Sequence, residues 1–73
     1  MKNVNLVELG NNIHAERSRL RMTQEKLAEI SGLQMQQISR IEYGLVDIRF
    51  STLVSILKAL NIPFDKVYDL KLK

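Results

Sequence analysis

The stretch Thr23-Gln24-Glu25-Lys26-Leu27-Ala28-Glu29-Ile30-Ser31-Gly32-Leu33-Gln34-Met35-Gln36-Gln37-Ile38-Ser39-Arg40-Ile41-Glu42-Tyr43-Gly44 decides how the chain folds. Thr23 is a good N-cap, Glu25 suits the positive end of a helix, and Met22 and Leu27 stand at the positions of a hydrophobic staple. Leu27, Ala28 and Ile30 follow, and Gly32 ends this short helix of about two turns. A second helix is expected from Gln34 to Tyr43, stopped by Gly44. Only Ser31-Gly32-Leu33 separates the two, so the chain turns sharply there. Ala28 is small where the helices come closest, Leu33 plugs the corner, and Ile38 and Ile41 bring the second helix onto the core.

Two short helices joined in this way at a crossing of about 90–120° form a helix-turn-helix unit, here about residues 23–44. Upstream, Leu6, Leu9, Ile13 and Leu20 mark an apolar stripe on a first helix. Gly10 within that helix suggests close backbone approach or simple tolerance. Downstream, Leu53, Ile56, Leu57 and Leu60 follow the i, i+3, i+4, i+7 pattern of a buried face. Asp47 or Ser51 is expected to cap this helix, and Asn61 to close it. Phe64, Val67 and Tyr68 predict a fifth short helix after Pro63, and residues 69–73 alternate polar and apolar. The expectation is an all-α chain: one compact domain over residues 1–73, built of five short helices, with helix 4, helix 5 and the tail in residues 49–73.

Length and composition narrow the function. Of 73 residues, eleven are Lys or Arg and eight Asp or Glu, giving a formal net charge of +3. A chain of this size buries only about 60% of its unfolded surface, so a partner subunit would help it. There is no Cys and a single His, so neither a disulfide nor a clustered metal site is expected. No Gly-rich phosphate loop or set of nucleophile and base is visible, so an enzyme is not expected and no cofactor is implied. No apolar run approaches the roughly 18 residues of a membrane span, and the start lacks a signal peptide's apolar region. A cytoplasmic location fits.

The outer face of the helix at Gln34–Tyr43 carries the functional signal. At about 100° per residue, with Gln36 at zero, Arg40 lies near 40°, Tyr43 near 340°, Ser39 near 300° and Gln37 near 100°. Ile38 and Ile41 fall on the far side, and Glu42 points away. The face holds amides, a guanidinium, a hydroxyl and a phenol, but no acid. An amide matches adenine N6 and N7, and a guanidinium matches guanine O6 and N7. Ordinary solvated surface is the competing explanation. The absence of acid, where the rest of the chain mixes signs, weighs against it.

The segments Thr23–Ala28, Gly32-Leu33 and Ile38–Gly44, with Leu9-Gly10 and Ile13–Arg17 upstream and Thr52-Leu53 and Leu57–Leu60 downstream, resemble the phage-repressor-type (Cro and repressor, Xre-like) helix-turn-helix family. The resemblance covers roughly residues 6 to 68. It implies a sequence-specific regulator of transcription, a repressor, bound as a homodimer to a two-fold-related site on double-stranded DNA. By position, Gln34, Met35, Gln36, Gln37 and Arg40 correspond to base-contacting residues. Gln24, Arg17, Arg21, Tyr43 and Arg49 correspond to residues at or near phosphate. Arg17 and Glu42 correspond to an ion pair tying the first helix to the end of the third. Phe64, Val67, Tyr68 and Leu70 are the candidates for a dimer surface. The sequence departs from the family at Gln34, where Ser or Thr is usual, at Arg21, where Gly is common, at Ser31, usually apolar, and at Ile48, often Pro. The same fold implies two alternatives: an antitoxin binding a toxin or other protein partner, or a controller of restriction–modification genes. A helical protein-interaction module without DNA binding is the competing class. His14 is expected to be solvent-exposed, and a lone His without Cys or a His partner is not expected to hold a metal.

Overall fold

The computed structural model describes residues 4–63. Within them run four helices: α1 (Val4–Arg19), α2 (Gln24–Ser31), α3 (Met35–Glu42) and α4 (Phe50–Ala59). The expected fifth helix, and with it Phe64, Val67, Tyr68 and Leu70, lies outside the described residues. So does the alternating tail. The described elements are all helical, with the helix-turn-helix at α2–α3.

Local chemistry sets the boundaries. Thr23 takes an extended conformation and its hydroxyl accepts from the Lys26 N–H at 3.0 Å. Gly32 ends α2 at φ 77°, in the left-handed region, and the next N–H, of Leu33, returns to the Ala28 carbonyl at 2.9 Å. Ser31, where an apolar residue is usual in the family it resembles, donates its hydroxyl to the Leu27 carbonyl at 2.7 Å. That bond satisfies the polar group inside the last turn. α3 begins at Met35, one residue later than expected, and ends at Glu42. Gln37 Oε1 accepts from the Gln34 N–H at 3.0 Å, so the first turn is capped from within by the third helical residue.

Two expectations fail. Leu20 is 41% exposed rather than part of the core, because α1 stops at Arg19 and the chain reverses through Arg21 at φ 58°. Neither Asp47 nor Ser51 caps α4. Its N-cap position is Arg49, which makes no side-chain capping bond. Asn61, at φ 61°, closes the far end of α4, where the Ile62 N–H returns to the Leu57 carbonyl.

The core is Leu9 and Ile13 of α1, Leu27 and Ala28 of α2, Ile38 and Ile41 of α3, Ile56 and Leu57 of α4, and Leu60 just beyond it. α3 packs against both α1 and α2, and α4 packs on α2. Gly10 is required by the first of these contacts. A Cβ built there would stand 2.4 Å from the Ile41 carbonyl oxygen and 2.5 Å from that of Glu42. The helix therefore accepts glycine's conformational entropy so that α1 can lie directly on the end of α3. Held between α1 and α2 by Ile38 and Ile41, α3 leaves its opposite side to solvent.

Candidate nucleic-acid interface

The five residues expected at base edges are all exposed: Gln34, Met35, Gln36, Gln37 and Arg40. Ile38 and Ile41, on the other side of the same helix, are buried. The angular separation read from the sequence is thus present in space, and the exposed side of α3 carries no acid. Gln37 differs from its neighbours in one respect. Its carbonyl oxygen is engaged at the helix start, so the amide offers only its N–H groups outward.

Gln37, Arg40 and Arg49 meet along a groove of about 270 Å³, between α3 and the loop leading to α4. Val46, Asp47, Ile48 and Thr52 line it as well. Asp47 sets an acid among these cations, a feature the linear pattern of α3 alone does not reveal. Arg21 is exposed at the α1–α2 turn and does not line this groove.

Behind α3 lies a second constellation, centred on Glu42. Its side chain is 4% exposed and accepts three hydrogen bonds, with a histidine nitrogen also within reach. Arg17 Nε donates to Oε2 at 2.6 Å and Arg17 Nη2 to Oε1 at 3.1 Å. Gln24 Nε2 donates to Oε1 at 3.0 Å, and His14 Nδ1 lies 3.0 Å from the same oxygen. Burial pushes the Glu42 carboxyl upward. The hydrogen bonds from Arg17, Gln24 and His14, with the Arg17 charge, outweigh it and hold the group below the usual glutamate range. Arg17 also donates from Nη1 to the Met22 carbonyl at 2.7 Å, so every nitrogen of its guanidinium is engaged within the protomer.

The four groups join α1, α2 and α3 at one corner. Gln24 gives one N–H of its amide to Glu42 and keeps the other. Beside it a cleft of about 320 Å³ is lined by Asn11, His14, Gln24, Glu42 and Tyr43. Tyr43 is 69% exposed at the end of α3. His14 was not expected to take part. Its place, three residues before Arg17 on α1, is the signal that could have revealed it.

The family described as helix-turn-helix matches residues 13–67, three quarters of the chain. The protein belongs to this helix-turn-helix family. Among its helix-turn-helix relatives, an uncharacterized HTH-type transcriptional regulator of Sinorhizobium medicae (strain WSM419) is 39% identical over 63 residues. That match covers 86% of this chain but 45% of the relative, so the chain spans about half the length of this rhizobial protein. Control protein C.SmaI of Serratia marcescens is 37% identical over 59 residues, covering 81% of this chain and 70% of its own. In three dimensions, the restriction-modification controller protein C.AhdI from Aeromonas hydrophila superposes with a TM-score of 0.82 at 26% identity, over 85% of this chain and 94% of that one. The controller protein C.Esp1396I, as a tetramer in complex with its natural 35 base-pair operator, gives 0.85 at 29% identity, over 99% of this chain and all of that one. Among the described residues of this helix-turn-helix protein, no helix is long and apolar enough to cross a membrane.

Proposed function

We propose that the chain is a sequence-specific regulator of transcription that binds double-stranded DNA through α3 laid in the major groove. The acid-free outward side of α3 carries this reading: Gln34, Met35, Gln36, Gln37 and Arg40 exposed above buried Ile38 and Ile41. Arg40 supplies two donors for a guanine edge. Gln36 supplies a donor and an acceptor for adenine, and Met35 an apolar contact for a thymine methyl. Gln24, Arg21, Tyr43 and Arg49 meet phosphates. Arg17 supports them by fixing Glu42, at the rim of the DNA backbone. The chemistry is recognition, without catalysis, metal or cofactor, and it takes place in the cytoplasm.

One module makes few contacts, so the protein acts as a homodimer and represses by occupying a two-fold-related site. Phe64, Val67, Tyr68 and Leu70 are the proposed dimer contacts. A narrower role, control of restriction–modification genes, is favoured by the named functions of C.SmaI, C.AhdI and C.Esp1396I. Selection from a random duplex pool, followed by sequencing and gel filtration, tests the reading. The expected result is an enriched site with two-fold symmetry and half-sites about 34–36 Å apart, bound by a dimer. A pool that shows no enrichment would leave a protein-interaction module as the better description.

A further inference from the structure

His14 is the only histidine in the chain, and its ring sits between a donor and an acceptor. Arg17 Nη2 lies 2.9 Å from Nδ1, and Glu42 Oε1 lies 3.0 Å from the same atom. One nitrogen cannot serve both at once. If Nδ1 carries a lone pair, it accepts from Arg17, and the neutral ring bears its proton on Nε2. If the ring is charged, Nδ1–H donates to Glu42, and Nε2 again bears a proton. The charged ring, and the neutral ring that accepts from Arg17, present Nε2–H as a donor, whereas a neutral ring that gives Nδ1–H to Glu42 leaves Nε2 an acceptor, so only the charged ring presents the outward donor in every arrangement. Nε2 bonds no other described residue, and the side chain is 58% exposed.

The surroundings suit an anion. His14 lines the same cleft as Asn11, Gln24 and Tyr43. The charged or titratable groups facing the ring are Arg17 of α1, Glu42 of α3 and the Tyr43 phenol at the end of α3. α2 contributes only the neutral amide of Gln24. The one carboxylate is 4% exposed and already matched by Arg17, so it does not project its charge into the cleft.

From this geometry we propose that His14 donates through Nε2–H to a phosphate of the bound duplex, beside the phosphate contact of Gln24, and binds it more tightly when protonated. The assignment rests on the DNA-binding reading and adds to it a residue and a pH dependence. Imidazole is the side chain whose charge ordinarily changes between pH 5 and 8. Protonation adds one positive charge per protomer next to the DNA backbone. The gain in affinity belongs to the charged ring.

Binding of the selected duplex is measured at pH 5.5 and pH 8.0 over a series of salt concentrations, for the natural chain, His14→Gln and His14→Lys. The natural chain is expected to bind about tenfold tighter per protomer at pH 5.5. Its log–log salt slope should be steeper there by about 0.9 per protomer. His14→Gln should lose both differences. His14→Lys, permanently charged, should bind tightly at both pH values. Because the His14 side chain is largely exposed, circular dichroism should show all three chains folded. A natural chain without the pH difference, a His14→Gln chain that retains it, or a His14→Lys chain that is weak throughout overturns the assignment. A natural chain that retains no duplex at either pH overturns the DNA-binding reading itself.

Discussion

Gln24, the first residue of α2, donates its amide N–H to Oε1 of Glu42, the last residue of α3, at 3.0 Å. The bond closes the helix-turn-helix from the side opposite its glycine turn. Glu42 also receives Arg17 from α1, so one carboxylate relates three helices. The relative placement of the exposed side of α3 and the start of α2 depends on that single acid.

Glu42 should therefore make the fold sensitive to acid. Its folded-state carboxyl is held below the usual range. Its stabilising contribution is complete above the unfolded value and declines below about pH 4.3, disappearing as the folded group protonates. Glu42→Gln leaves Arg17 without its anion, at a cost of at most about 3–5 kcal/mol, reduced by solvent reaching the cluster past His14. Urea unfolding of both chains from pH 7 to pH 3 should show a gap that narrows at the acid end. A gap of constant size would mean that the ionised form of Glu42 contributes nothing special.

Gly10→Ala should destabilise the protein, although alanine is the better helix former by about 1 kcal/mol. The added methyl meets two carbonyl oxygens of α3 that belong to rigid backbone. Overpacking of this kind costs about 1–3 kcal/mol or more. A thermal melt in which the alanine variant equals or exceeds the natural chain would show that α1 and α3 separate more easily than their packing implies.

Arg21→Gly should act in the opposite sense on stability. Arg21 holds φ 58°, a left-handed conformation that costs a side chain with a Cβ roughly 1 kcal/mol and costs glycine little. Replacement should raise the unfolding midpoint modestly while weakening DNA binding and shallowing its salt dependence by about 0.9 per protomer. Equal salt slopes in the two chains would remove Arg21 from the phosphate contacts.

Arg40→Ala should weaken binding to the selected site by about 1–3 kcal/mol and relax preference at one base pair. Gln24→Ala should weaken all duplexes similarly, because its proposed partner is a phosphate, common to every sequence, and because it supports Glu42. Competition with a set of singly substituted sites separates the two patterns. An Arg40→Ala chain with unchanged preference at every position would detach α3 from base reading.

Much of this was legible in the chain itself. Thr23, Gly32 and the spacing of Leu27, Ala28, Ile38 and Ile41 follow from capping and helical periodicity, which are local and carry over into space directly. Gln34–Gln37 and Arg40 could be placed on an exposed side for the same reason. What was hidden depends on contacts between distant segments or on single backbone angles. Leu20 fits the apolar stripe of α1, but the left-handed turn at Arg21 removes it from the helix. Gln37 looks like a free amide until its oxygen is seen capping α3. His14 and Asp47 gain their significance only when Glu42 and the Arg40–Arg49 groove come beside them.

The division of labour within α3 has a further consequence. Ile38 and Ile41 anchor the helix from one side, whereas Met35, Gln36 and Arg40 on the other support nothing beneath them. Exchanging those outward side chains leaves the hydrophobic interior intact. A library randomised at the three positions should therefore stay well folded while its members diverge in the duplexes they prefer, making the scaffold a suitable starting point for retargeting.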